Sequence, residues 1–381
     1  MNDREFLPEQ GAAPAQTTAV RMTRPELAGL LAAAGLQPGS LAFPLAPGVA
    51  PIEPSPDSRR ALVEAGWFER KETPALTDAG RTVLAILSDP VHRTDLVMGT
   101  ASWWFTWKGL GGQERDGPVL AVSEAPGDDR LTLSFPHRPG HGVVLLAQHL
   151  RVGRIEAPVP LDVGLDDRAF TTWLGVLDDR VEARLTAALD RTPVTRTSIE
   201  ADDVLAMLAE GRTSGHLGWQ VPVSMMVWPD LGTHVGLDDV RSGFEQLVGC
   251  GLLVSQPDGR HELSEVAMAL VDGLVPVVRW AGFSHTRREP ATGTVTTERL
   301  VVRRGIGAML VEQRALGGAS VAVRSIDDLG LESLIGALDS TARSGVPAAS
   351  TPVCGQCRAV LHAEAGFCHR CGAPVDDRSS P

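Results

Sequence analysis

Tyrosine is absent from the 381 residues, and lysine occurs only at Lys71 and Lys108, while arginine, alanine and glycine abound. That skew fits a GC-rich coding sequence and by itself excludes no class of function. Long apolar runs are also missing: no stretch of about eighteen apolar residues occurs, so no helical membrane span is expected. The opening stretch MNDREFLPEQGAAPAQTTAV lacks the pattern of a signal peptide, and a cytoplasmic protein is the expectation. There are five cysteines, four of them in the last thirty residues, which leaves no disulfide framework for the rest of the chain. Cys250 reads as a small buried hydrophobe. P-loop, G-x-S-x-G, H-E-x-x-H and dinucleotide fingerprints are all absent, so the reading is of a non-enzyme. Acid outweighs base, 47 residues to 35, and a net charge of −12 repels phosphate at long range. Nucleic acid is therefore disfavoured as a general partner.

What is present is a repeat. ALVEAGWFERKETPALTDAGRTVLAIL (61–87) returns as QLVGCGLLVSQPDGRHELSEVAMALVDGL (246–274). Leu62 aligns with Leu247, Gly66 with Gly251, and Leu76-Thr77-Asp78 with Leu263-Ser264-Glu265. A second match sets LDDRAFTTWLGVLD (165–178) against IDDLGLESLIGALD (326–339). Two matches in the same order argue for a duplicated module. Each copy reads as a leading helix (RPELAGLLAAAGL, 24–36, matched by SIEADDVLAMLAEG, 198–211), a helix ending at a glycine cap, a hairpin, and a helix capped by Thr77 or Ser264.

Beyond Pro90 the period changes to that of strands. HRTDLVMGTASWW, GPVLAVSE, RLTLSFPH and GVVLLAQHL are four β-like runs, matched later by VPVVRWAGFSH, TTERLVVRRG, IGAMLVEQRA and ASVAVRSI. The repeated LDD/IDD helix closes each sheet, with Leu165, Trp173, Leu174 and Leu177 packed on it. The expected fold is therefore α+β: two pseudo-symmetric modules, each with a winged-helix-like helical part and a four-stranded antiparallel sheet. The boundaries are a disordered tail at 1–20, modules at 21–180 and 198–340, and a linker at 341–353. Residues 354–372 follow as a separate unit, with a tail at 373–381.

That last unit has a defined chemistry. VCGQCRAVLHAEAGFCHRCG places Cys354 and Cys357 two residues apart, then Cys368 and Cys371 at the same spacing. Each CxxC knuckle turns two thiolates toward one tetrahedral ion, and the arrangement resembles the zinc-ribbon family. Four thiolates close the coordination shell, leaving no position for water or substrate, so the expected Zn2+ is structural. A redox or disulfide pairing of the two knuckles is the competing interpretation.

The other candidates have bland readings beside the sharp ones. SWWFTW gathers Trp103, Trp104, Phe105 and Trp107, which pack in a sheet core or form an exposed patch for a protein partner. The adjacent GLGG reads as a hairpin tip. His137 and His141 share a turn between strands and read as solvated loop histidines, with a metal pair as the alternative. Arg287, Arg288, Arg303, Arg304 and Arg314 make a locally basic sheet face, solvated or set against an acidic partner. The helix–hairpin–helix unit resembles a winged-helix DNA reader, with Arg59 and Arg60 on the recognition helix and Arg70 and Lys71 on the wing. The second copy offers Asp238, Asp239, Glu245 and a lone Arg241 there, a set that phosphate rejects. The topology as scaffold is preferred, with a winged-helix DNA-binding regulator as the alternative.

The order of elements over 21–340 resembles the EspG family of cytosolic chaperones of type VII (ESX) secretion. TRPELAGLLAAAGL, RRALVEAGWFERKETPALT, LSDPVHRTDLV and the LDD helix carry the resemblance. It implies two pseudo-symmetric α/β halves and a protein partner, a helical secretion substrate held by one half before export. The terminal zinc ribbon is additional to that plan.

The cysteine spacing makes one firm prediction. The purified chain binds one zinc ion by metal analysis, and Cys354→Ser with Cys371→Ser abolishes that binding; metal-free wild type would refute the ribbon.

Overall fold

The computed structural model describes residues 17–36, 41, 49–70, 75–112, 117–124, 127–151, 155, 159–194, 197–214, 220–229, 231, 235–289, 292–314 and 320–344. The zinc-ribbon segment, the tail at 373–381, Lys71 and residues 1–16 lie outside them. From the N-terminus the elements are β1 (Thr18–Thr23), α1 (Arg24–Ala33), α2 (Pro56–Glu64) and α3 (Asp78–Ser88). Then come β2 (His92–Gly99), β3 (Trp104–Gly111), β4 (Val119–Glu124), β5 (Arg130–His137) and α4 (His141–Leu150). Next are β6 (Asp162–Asp166), α5 (Asp167–Asp190), β7 (Ser198–Ile199), α6 (Ala201–Ser214) and α7 (Gln220–Val227). The remainder is α8 (Leu237–Gly249), β8 (Leu253–Ser255), β9 (His261–Leu263), α9 (Glu265–Leu274), β10 (Arg279–Arg288), β11 (Val295–Arg304), β12 (Met309–Arg314), β13 (Ser320–Ser325) and α10 (Asp328–Ser344).

The repeated stretches build the same local geometry. Gly66 and Gly251 end their helices at φ +73° and +78°, a left-handed conformation that side-chain-bearing residues resist. Behind each cap the chain folds back identically: Trp67 N donates to Leu62 O at 3.0 Å, and Leu252 N to Leu247 O at 2.9 Å. Thr77 and Ser264 then cap the next helices, accepting from Gly80 N at 3.1 Å and Ala267 N at 3.2 Å.

The strands differ from expectation in an informative way. They form one ten-stranded antiparallel sheet in the order β1-β5-β4-β3-β2-β10-β11-β12-β13-β6, not two separate four-stranded sheets. The cause is the composition of β2 and β10. Leu96 and Met98 face one side of the sheet with Ala281 and Phe283, while Val97 and Trp280 pack on the other. Strands apolar on both faces make poor solvent edges, and β2 pairs with β10 along its whole length, from His92↔Arg287 to Gly99↔Trp280. A separate three-stranded sheet, β7-β9-β8, holds the second hairpin.

Helices cover both faces. One face carries two cores side by side: α1–α3 over β1 and β3–β5, and α5–α9 over β6 and β10–β13. On the other face α4 and α10 bury Leu96, Trp107, Phe283, Leu300 and Val311.

Four local expectations are corrected. GVVLLAQHL is helix α4, not a strand, because Val143, Leu146, Ala147 and Leu150 bury a helical stripe over the sheet. The missing strand is β3, so Gly109–Gly111 of GLGG are strand and not a tip. Its glycines leave room for rings: a Cβ at Gly111 would stand 1.9 Å from His92 Nε2, and one at Gly109 2.5 Å from Trp107. The LDD helix does not close the first sheet. Leu165, Trp173, Leu174 and Leu177 belong to the second helical core, β6 pairs with β13, and α5 runs unbroken from Asp167 to Asp190 across residue 180. Lastly, β1 begins at Thr18, inside the segment assigned to a tail, because Val20 and Met22 are buried against β5.

Since Phe283 sits in the middle of the β2–β10–β11 row, Phe283→Ala should lower unfolding free energy by about 3–5 kcal/mol in denaturant titration. A loss within experimental error would show that the central pairing is not what holds the sheet.

Candidate functional site

The aromatic run divides among three environments. Trp107 is buried beneath α4, Phe105 is half-buried on the same face, and Trp104 is half-buried against the second helical core. Trp103, in the β2–β3 turn, is 47% exposed. Its ring stands edge-on to His149 at 5.8 Å. His149 comes from α4 and is buried where the central strands end: its Nε2–H donates to the carbonyls of Trp280 at 3.1 Å and Gly99 at 3.3 Å. Arg279 donates to the His149 carbonyl at 3.0 Å, and the Trp280 indole to Thr100 O at 3.2 Å. Burial, together with the nearby Arg279 charge, pushes His149 below the usual histidine range against the pull of its carbonyl bonds. Trp103 thus stands on a base assembled from β2, β10 and α4. At the same end of the sheet the β11–β12 turn exposes Ile306.

The basic sheet face of the sequence is internally paired. Arg303 is buried and donates to Glu312 at 2.9 and 3.1 Å and to Ser224 Oγ; Arg304 pairs with Asp328, Arg288 with Asp89, and Arg314 with Asp167. Beside the Arg303–Glu312 pair, Asp178 of α5 accepts from the backbone N–H of Gln220 and of Val221, capping α7 from a distance. Sequence reasoning missed this cluster. Its signal was there, since Arg303 and Glu312 interrupt strand runs at positions that face helices. Burial raises Asp178 to about 7 despite its backbone bonds and Arg303, and Glu312 adds to the rise. Glu312 itself is raised, mainly by burial.

His137 and His141 do not share a turn between strands: His141 opens α4, and the rings stack at 4.5 Å. No group of three or more metal-ligating side chains occurs among the described residues.

Arg59 and Arg60 lie exposed on α2, and Arg70 is exposed beyond the turn. Arg59 pairs with Glu53 at 2.5 Å and Arg60 with Asp57 at 3.6 Å. Both pairs are exposed, and Arg70 has no such pair among the described residues. Beside Arg59 runs a groove of about 410 Å3, walled by Leu30 and Ala33 of α1, Leu62 and Val63 of α2, Ile52 and Phe68.

No protein-family model matches the chain, and no curated protein matches it in sequence. Among solved structures, a similar one is the Mycobacterium tuberculosis type VII secretion system chaperone EspG5 in complex with a PE25–PPE41 dimer. The TM-score is 0.42 at 9% identity, covering 85% of this chain and 96% of that chain. No residue here takes a role from it.

The buried titrations have opposite signs. Asp178 is raised, so its contribution to stability is present at low pH and lost as pH rises from 3.8 through about 7. His285, buried beside His92 and Arg287, is lowered from 6.5 to about 4, so its contribution is present above 6.5 and lost as pH falls through 4. Between pH 4 and 6.5 the two oppose each other. Asp178→Asn should therefore make stability rise more steeply with pH than in the parent, by up to about 1.4 kcal/mol per pH unit, and His285→Gln less steeply. Denaturant titrations across that window check both; parallel profiles for all three proteins would contradict the assignment.

Proposed function

We propose that this chain is a non-enzymatic cytoplasmic adaptor that binds another protein, in the manner of a secretion chaperone holding a helical client. The observation that carries the reading is Trp103, a half-exposed indole fixed on the joint between β2 and β10. A large aromatic already held in place loses little entropy on binding and removes much apolar area from water, which is what a binding hot spot requires. Trp104, Phe105 and Trp107 support it from within the sheet. The titratable groups around the joint are engaged by carbonyls and neighbouring strands, an arrangement suited to rigidity and not to proton transfer.

The layout resemblance noted in the sequence supplies the class of client, a helical secretion substrate kept from aggregating by mass action. The same reading takes the chain as one plan used twice. On this reading the β6–α5 unit, and not the helix at 198–211 matched to α1 in the sequence, stands in the second module where β1–α1 stands in the first, with β1 and β6 at the two ends of the sheet. On the same reading Cys354, Cys357, Cys368 and Cys371 hold a structural zinc beyond α10, which runs to Ser344 and so takes in the first residues assigned to a linker at 341–353.

The test is to isolate the partner from the native host with the full chain as bait, then titrate purified partner against wild type and Trp103→Ala. The expected result is a helical protein whose affinity falls about tenfold or more in the variant, with an unchanged melting temperature. Equal affinity for both proteins would remove Trp103 from the interface. DNA retention that collapses with added salt would point instead to a winged-helix regulator using Arg59, Arg60, Arg70 and Lys71.

A further inference from the structure

Among the described residues, a helix covers a groove in the second half whose counterpart in the first half carries none. In the second half, α6 lies across α5 and α8. Val204 and Leu208 rest on Gly175 of α5, where an added Cβ would stand 2.8 Å from Val204, and both are buried. Beneath them Trp173, Val176, Leu247 and Leu253 are closed off from water. The matching positions in the first half follow from the shared caps. Thr23 and Asp166 cap α1 and α5 at the same point after their strands, which sets Leu30 against Trp173 and Ala33 against Val176. The repeated turn sets Leu62 against Leu247 and Phe68 against Leu253. There Ala33 is exposed, Val63 and Phe68 are half-exposed, and no described helix crosses between α1 and α2. Among the described residues, Pro51–Pro54 borders the groove of about 410 Å3, with the Ile52 carbonyl against Gly29 of α1.

Charge marks what would fit. In the second half an acid just before α6, Glu200, pairs with Arg260 of the hairpin at 2.8 Å, and Asp202 and Asp203 occupy the first turn of the helix. In the first half Arg59 stands at the rim, Arg60 is exposed next to it on α2, and Arg70 is exposed beyond the turn. Glu53, which pairs with Arg59, is itself highly exposed, so that contact is weak and can be exchanged for a partner's carboxylate.

We propose that the α1–α2 groove receives an amphipathic helix from another protein, one with an aliphatic i, i+4 stripe and an acidic first turn. The second half's own α6 is the precedent for the occupant, and Arg59 at the rim favours an acidic one. An isolated helix of this length is marginal in water, so it would order on docking. This site is separate from Trp103 and does not depend on it.

The probe is a labelled peptide of residues 200–214, EADDVLAMLAEGRTS, titrated by fluorescence anisotropy against the full chain. The blocking variant is Ala33→Arg, at an exposed helical position where a larger side chain fills the groove without disturbing the core. Saturable binding is expected, weakened about tenfold or more by Ala33→Arg at unchanged melting temperature and lost for a Leu208→Asp peptide. Trp103→Ala should leave it unchanged, so failure here is separable from failure of the adaptor reading. Three results would overturn the proposal: no saturable binding, binding indifferent to Ala33→Arg (the peptide then exchanging with the protein's own α6), or self-association that Ala33→Arg abolishes, which makes a second copy the occupant.

Discussion

The pairing of β2 with β10 is the constraint on which the rest depends. Each strand is apolar on both faces, so each needs a neighbour along its edge and a layer above and below. Joined, they bring β3–β5 and β11–β13 into one sheet and set two helical cores side by side on one face. α4 then lies across the joint, its His149 bonded to one carbonyl from each central strand. The exposed Trp103 owes its fixed position to that arrangement. Without the joint, the β2–β3 turn would be a loop end with an apolar ring and no base.

Buried charge sets a second requirement. Arg303, Glu312 and Asp178 lie between the sheet and α7, and two carboxylates outnumber the one guanidinium. The imbalance is met by backbone donors and by proton uptake at Asp178, whose carboxyl titrates near neutrality. Such clusters cost desolvation and gain little net stability over an apolar core. Here they fix how α7 sits, since Ser224 and the Gln220 carbonyl are both held by Arg303. The packing of α7 is close, with Val227 lying against Gly282 of β10.

Legibility followed the range of the interaction. Helix caps at Thr77 and Ser264 and the glycine turns at Gly66 and Gly251 were readable because each is set by residues within a few positions. The strands β10 to β13 were readable from alternation. GVVLLAQHL misled because a short apolar run fits a buried strand and a buried helix equally, and only its contact with Trp107 and Phe283 decides. The LDD match misled for a related reason. Residues 165–178 and 326–339 share a helical stripe, but α5 follows β6 at the sheet's edge and faces the second core, while α10 packs on the opposite face. Similar amphipathic helices carry no mark of the face they will cover.

Sequence by itself determined the repeated helix–turn–helix units, the strands β10 to β13, the four-cysteine spacing and the lack of a long apolar run, because each is written in local pattern and residue chemistry. Tertiary structure alone decided that ten strands form one sheet and that one tryptophan of four aromatics is presented to solvent. Those outcomes depend on which surfaces meet across long stretches of chain. Periodicity says that a face is apolar; only packing says what lies against it.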